Sequence, residues 1–382
     1  MVVPVAGRSL AAVVGGVLVI AAWASVIGTM VVPRRASSWV TRWTDWIVNL
    51  AFMAVAGAVH DWRRRERVHV PQGAMILIVQ VVAWLGISFL GFALLAWPFV
   101  SGGITRAFAV AGSAMSGVAL SEQTGTVPLA ILFVAAASGL VIIAPQVAYL
   151  PALYNAYGRR ETEVGLLNQR AGVPAWGPEL LARTHFAFGS GVSTLDTLPG
   201  LYEQWERWAG DVGQTHSAYL PLVRFRSSEG LTSWVTALLA VLDSAALFLA
   251  LSPQRAPTVP ARNCLRSGMI CFTRIAEAMG YGTLEGLDME SGISLSFEEF
   301  ADAVSRLRSV DFPIERSPDE AWPDFAGWRG NYERAAYALA EAVDAVPALW
   351  SGPRRRRTAI PPLGVPRSRS GDDPVPGSAN TA

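Results

Sequence analysis

The chain of 382 residues contains no lysine: all 31 of its basic side chains are arginine. That bias reflects codon supply in a GC-rich bacterial genome, not chemistry. Charge of either sign is scarce, at 16% of residues, where a soluble protein carries about a quarter. The net charge of +1 excludes a bulk electrostatic case for binding nucleic acid. Cysteine is nearly absent as well. Cys264 and Cys271 are too far apart for a CxxC pair and have no histidine at ligand spacing. This excludes a zinc site and a disulfide scaffold and leaves two small core residues. The histidines, His60, His69, His185 and His216, are scattered, and none sits in a triad or metal motif. Neither a phosphate-binding glycine loop nor a dinucleotide fingerprint is present. The sequence therefore predicts no enzyme, no cofactor and no resident metal.

What the chain has in excess is apolar residues, 52% of the total, and they concentrate early. Leu10 to Val32 is long enough to cross about 30 Å of hydrocarbon as a helix. A cleaved signal peptide ending at Ala22-Trp23-Ala24 is the rival reading. The weak basic lead-in, Arg8 alone, and the apolar run past Ala24 favour a retained anchor. Trp43 to His60 is a weaker stretch, with Arg42, Asp45 and Asn49 on one helical side and Trp43, Trp46, Ile47 and Leu50 on the other. Arginines flank both its ends, so it reads as an amphipathic helix in the inner interface, with a fourth span as the alternative. Met75 to Trp97 is the cleanest span, with Gln80 as its one strongly polar side chain. Pro128 to Tyr154 is the next, with Pro145 at a kink.

The arginine-rich segments 34–67 and 159–170 fall on one side of these spans, and the arginine-poor segments 1–9 and 98–127 on the other. The positive-inside bias then places the N-terminus outside and everything after Tyr157 in the cytoplasm of a multi-pass protein in the bacterial inner membrane.

From Gly158 the texture is that of an all-α domain. Arg160 to Arg170 reads as a helix stopped by Gly172 and Pro174, and Leu201 to Trp208 as another. Ser233 to Leu251 is apolar enough to span, but it holds Asp243 at its middle and arginines at both flanks. It is expected to be a core helix. Asp288 to Gly292 resembles a calcium loop but has its glycine one place early, and is expected to be a turn. Ser296-Phe297-Glu298-Glu299 is a capping box opening a helix with Phe297, Phe300, Val304 and Leu307 on one face. Asn331 to Val346 is a last helix, ended by Pro347. The tail from Ser351 cannot bury a core. Its run Arg354 to Arg357 is either a solvated charge cluster or a site for anionic lipid.

One element is unlike an ordinary loop. Thr105 to Leu120 is apolar and built of small residues, too short to cross, and is followed by the polar strip Ser121-Glu122-Gln123-Thr124-Gly125-Thr126. A short helix can enter a membrane and turn back where protein or water surrounds its backbone. The module from about Met75 to Arg160 resembles the two-helix pore domain of the potassium-channel superfamily: outer helix, pore helix, strip with a Thr-x-Gly core, inner helix. It is also similar to bacterial membrane proteins that pair a degenerate pore with a cytoplasmic helical region, through Ser116-Gly117, Tyr149-Leu150-Pro151 and Arg159-Arg160-Glu161. The superfamily's Gly-Tyr-Gly is absent, and Glu122 stands where such filters offer backbone carbonyls.

The resemblance implies an integral membrane protein, all-α, with about three transmembrane helices and a re-entrant pore-like loop. It divides into an anchor with an interfacial helix (1–72), the pore-like module (73–157), a cytoplasmic helical domain (158–350) and a disordered basic tail (351–382). It also implies a homo-oligomer, four copies if a pore, lined by Ser121 to Thr126 and passing monovalent cations with weak selectivity. The alternative is a membrane-tethered adaptor or sensor that acts through its cytoplasmic domain.

Overall fold

The computed structural model describes residues 5–30, 38–118, 126–186, 194–281 and 293–352. Among these the chain is all-helical. Its helices are α1 (Val5–Met30), α2 (Trp39–Gly57), α3 (Trp62–His69), α4 (Gln72–Ala96), α5 (Gly103–Ser116), α6 (Thr126–Ala171), α7 (Gly177–Phe186), α8 (Leu198–Ala218), α9 (Pro221–Arg224), α10 (Trp234–Leu251), α11 (Thr258–Ala278), α12 (Phe297–Arg308), α13 (Pro318–Gly330) and α14 (Glu333–Ala342). Four stretches are long and apolar enough to cross a membrane: Ala6–Met30, Trp62–Phe99, Thr126–Ala171 and Trp234–Leu251. The chain folds into two compact units, Met1–Ala58 with Pro71–Asn155, and Val59–Val70 with the residues from Ala156 onward.

In the first unit, α4 is the helix the others pack on. Its side chains pair with α1 and α2 in descending register. The Trp84 indole donates to Ser25 Oγ at 2.8 Å, Gln80 Nε2 to Thr41 Oγ1 at 3.1 Å, and Gln72 Nε2 to Asn49 Oδ1 at 3.0 Å. Both α1 and α2 thus run antiparallel to α4, α1 along its far half and α2 along the half that begins at Gln72. The sequence placed α2 at an interface; the structure lays it lengthwise against α4, with Val40, Thr41, Thr44 and Val48 buried and Trp43, Trp46 and Leu50 exposed. Near the far end, α1 and α4 touch through glycine. A Cβ on Gly15 would meet the Gly91 carbonyl oxygen at 2.5 Å, so only glycine permits this approach.

In the second unit, α10 is the centre. All eighteen of its residues are buried, against helices α7, α8, α11, α13 and α14. Gly177 opens α7 against it, where a Cβ would lie 2.8 Å from the Ala240 carbonyl oxygen, and Gly268 of α11 sits over Leu242. The capping box at Ser296 forms as the sequence indicated. Ser296 Oγ accepts from Glu299 N at 3.2 Å, and Glu299 Oε2 accepts from Ser296 N at 3.0 Å. Behind it Phe300, Val304 and Leu307 are buried.

Several boundaries differ from the sequence reading. The final helix is shorter than expected, Glu333–Ala342. The expected helix Arg160 to Arg170 is no separate element: α6 runs unbroken for 46 residues through Pro145, Pro151 and Gly158. It stops only where Gly172 turns to φ +83°. Most surprising from sequence is α3. Its arginines read as a topogenic flank, yet it belongs to the second unit, capped by the Asp61 carboxylate accepting from Arg64 N at 2.8 Å.

Candidate functional site

The strip singled out by sequence lies, from Ser121 to Gly125, outside the described residues; Thr126 is the first residue of α6. The helices on either side of it are described, and their directions carry information. Val110 of α5 shares a cluster with Ala96, Val100, Ile131 and Leu132. Further along α5, the Met115 carbonyl oxygen abuts Gly139, 2.5 Å from where a Cβ would stand. As α5 advances from Val110 to Met115, α6 advances from Ile131 to Gly139. The two helices are consecutive in the chain and run the same way.

α5 packs on α4 with the opposite sense: its start lies by the end of α4, and Phe108 and Gly112 further on meet Phe89, the rings 5.4 Å apart. The contact at Met115 is thirteen residues into α6, about 20 Å along its axis.

α1 flanks this arrangement. The Trp23 indole donates to Ser138 Oγ at 3.0 Å, and Gln146 Nε2 reaches the Met30 sulfur at 3.4 Å. Where α1, α2 and α4 meet, a seam of neutral polar groups runs beside the apolar cluster of Val26, Val40 and Trp84. Ser25 Oγ donates to Ser38 Oγ at 2.8 Å, and Thr41 Oγ1 stands 2.9 Å from Ser38 Oγ and 3.2 Å from Thr29 Oγ1. Outward from the bundle, α1 exposes Leu10, Val13, Val17 and Ile20, and α6 exposes Phe133, Leu140 and Val147.

Among its described residues, the second unit holds three clusters of buried charge beside the Glu179 pairs with Arg183 and Arg306. In the first, Asp243 of α10 is ion-paired to Arg329 and accepts from the Tyr332 hydroxyl at 2.8 Å. The Arg329 guanidinium also donates to Glu333 at 2.7 Å and to the Trp350 carbonyl at 2.6 Å. Burial opposes its charge, but Asp243, Tyr337, Tyr332 and Glu333 together outweigh burial and hold Arg329 well above its ordinary range.

In the second, Arg160 of α6 is fully buried. It donates to Glu161 at 2.7 Å and to the Leu222 and Phe225 carbonyls at 2.8 Å each, and its Nη1 lies 3.1 Å from His216 Nε2. Burial, then the neighbouring guanidinium, pushes His216 well below the usual histidine range, so the ring is neutral and Nε2 accepts.

In the third, Asp344 accepts from Arg65 Nε at 2.5 Å and lies 3.1 Å from His69 Nε2, both on α3. Arg226 donates to the Asp344 carbonyl at 3.0 Å and faces Glu66 at 3.6 Å. Burial raises the Asp344 carboxyl, but the His69 and Arg65 hydrogen bonds outweigh it and hold it well below its ordinary range.

Among the described residues no group of three or more His, Cys, Asp or Glu could hold a metal ion. Cys264 and Cys271 are buried free thiols, both pushed up by burial and far from nucleophilic. Asp243 was the one buried charge the sequence reading singled out. Arg160, Arg226, Arg329 and Asp344 were missed because each has a partner distant in sequence: Phe225 for Arg160, Asp243 for Arg329, Asp344 for Arg226 and Arg65 for Asp344. The calcium-like turn through Gly292 and the run Arg354 to Arg357 lie outside the described residues. No protein-family pattern, curated protein or solved structure matches this chain.

Proposed function

We propose that the first unit is a membrane-embedded, pore-like module that passes monovalent cations with weak selectivity. The observation that carries this reading is the direction of α5 and α6. Two consecutive helices running the same way, with α5 ending deep along α6, need a chain that doubles back toward the start of α6, which is the topology of a re-entrant element. In this reading Ser121 to Thr126 line the pore. Small-residue carbonyls there replace part of an ion's water shell, and a ring of Glu122 favours cations over anions. Without Gly-Tyr-Gly the strip has no sequence basis for sharp potassium-over-sodium discrimination. The pore needs about four copies around an axis. In this reading α1, α4 and α6 cross the bacterial inner membrane, the N-terminus is outside, and the second unit is cytoplasmic. The lipid bilayer covers the exposed apolar faces, and anionic lipid meets Arg354 to Arg357.

A non-conducting tether or sensor is the second reading. It draws on the concentration of buried ion pairs in the second unit.

The full chain reconstituted in liposomes separates the two. Cation flux is expected, with Glu122→Gln reducing the preference for cations over anions and Gly125→Val abolishing flux. Gly139→Leu, which drives a side chain into the α5 backbone, should abolish it too. Flux that survives both glycine variants means that ions do not pass this element, and the tether reading then holds.

A further inference from the structure

Two elements of the second unit lead straight into the first. α3 ends at His69 and α4 begins at Gln72, with only Val70 and Pro71 between them. α6 passes from one unit to the other at Asn155 and Ala156 with no break in its helix. One residue is bonded on both sides. The Arg226 side chain donates to the Asp344 carbonyl at 3.0 Å and faces Glu66 of α3 at 3.6 Å. The Arg226 carbonyl accepts from the Tyr157 hydroxyl of α6 at 3.1 Å.

The residues around it repeat the pattern. Arg160 of α6 holds the carbonyls of Leu222 and Phe225, Arg224 donates to the Ala342 carbonyl, and Phe225 stacks on Tyr157 with ring centres 5.7 Å apart. On the far side, Asp344 carries Arg65 and His69.

We propose that α3 and the root of α6 form one clamp that opens and closes as a unit, with Arg226 as its pivot. The clamp would be the route by which the second unit regulates the first, acting on the lead-in to α4 and the exit of α6 together. The argument is one of short, buried, directional contacts. α3 has eight residues and little apolar surface of its own beyond Trp62, which packs with Leu231 and Val346. Asp344 and Arg226 hold its side chains Arg65, Glu66 and His69. The same Leu222–Arg226 segment sets the place of the α6 root. A shift of that segment cannot loosen one without straining the other, because its carbonyls and the Phe225 ring are committed to α6 and the Arg226 side chain to Asp344 and Glu66. Tyr157, Arg226 and Asp344 are positioning residues in this scheme. The inference rests on contacts within the second unit and on chain continuity, so it stands or falls independently of whether ions pass the first unit.

Native-state hydrogen exchange on the full chain in detergent tests it. Tyr157→Phe removes the hydroxyl that donates to the Arg226 carbonyl. It is expected to speed exchange of the α3 amides, residues 62–69, by roughly two- to tenfold, the range for losing one hydrogen bond, and the α6 root, residues 156–165, by the same factor. Asp344→Asn is expected to do the reverse in space, speeding the α6 root along with α3. The α10 amides should be unchanged in both. Acceleration confined to the element that was mutated overturns the clamp. Acceleration that includes α10 also overturns it, because the contacts then belong to the global fold and not to a separate unit.

Discussion

The Trp234–Leu251 helix and the first half of α6 are both built mainly of alanine, leucine and valine, and either could cross a membrane by length and composition. Their surroundings are opposite. α10 is buried in protein along its whole length, whereas the most apolar stretches of α6 and α1 are each only 22% buried. Hydropathy is blind to this difference because lipid and a protein core are equally dry. The distinguishing signal is what happens to polar side chains. In α10 the carboxylate of Asp243 finds Arg329 and Tyr332 on neighbouring helices. In the α1–α2–α4 seam the polar groups are neutral and pair with one another, as Ser25, Ser38, Thr41, Gln80 and Trp84 do. Isolated charge is costly in hydrocarbon and neutral hydroxyls and amides much less so. The two helices thus fit two different solvents.

The sharpest way to break this comparison is at Asp243. Replacing it with leucine leaves Arg329 buried without its carboxylate partner, which should cost about 3–5 kcal/mol, partly softened by Glu333. The measurement is the denaturant midpoint of the second unit in the full chain. Were α10 facing lipid, the same change would remove a penalty, and stability would hold or rise.

A smaller effect sharpens the account of the second unit through pH. His216 is a base whose folded-state pKa is depressed by burial and by Arg160. The unfolded chain therefore binds its proton first as pH falls. Stability rises with pH up to the unfolded value near 6.5 and declines below it, by up to about 1.4 kcal/mol for each pH unit while the folded ring stays neutral. Unfolding midpoints at pH 7.5 and 5.5 should differ in the parent chain, and His216→Gln should shrink the difference. Asp344, depressed by His69 and Arg65, adds a loss of the same sign only below about pH 4. An equal pH slope in the variant would mean that His216 is solvated.

Part of the helix inventory was legible from periodicity and caps, while α3, α7, α9, α11 and α13 were not read from the sequence. α1, α4 and α12 follow their apolar spacing closely, and the Ser296 box marked its helix start within a residue. The role of α10 was legible too, from one aspartate and the arginines at its flanks. What sequence hid was membership. Arg63 to Arg67 carry the composition of a membrane flank, and nothing local shows that Arg65 and His69 meet a carboxylate at position 344. Likewise Pro145 suggested a kink and Gly158 a change of element along α6. The helix continues because each proline removes a single backbone hydrogen bond, and the long segment on either side holds the rest. For the site, the strip was chosen on residue type alone. The parallel course of α5 and α6, which gives it meaning, appears only in contacts such as Met115 with Gly139.

The comparison itself is tested most directly by labelling from within the lipid. The full chain in bilayers carrying a photoactivated, lipid-soluble carbene reagent, digested and read by mass spectrometry, reports which side chains face acyl chains. The account predicts label on the outward faces of α1 and α6, at Leu10, Val13, Phe133, Leu140 and Val147, and none between Trp234 and Leu251. Label along α10 at the level found on α6 would contradict it.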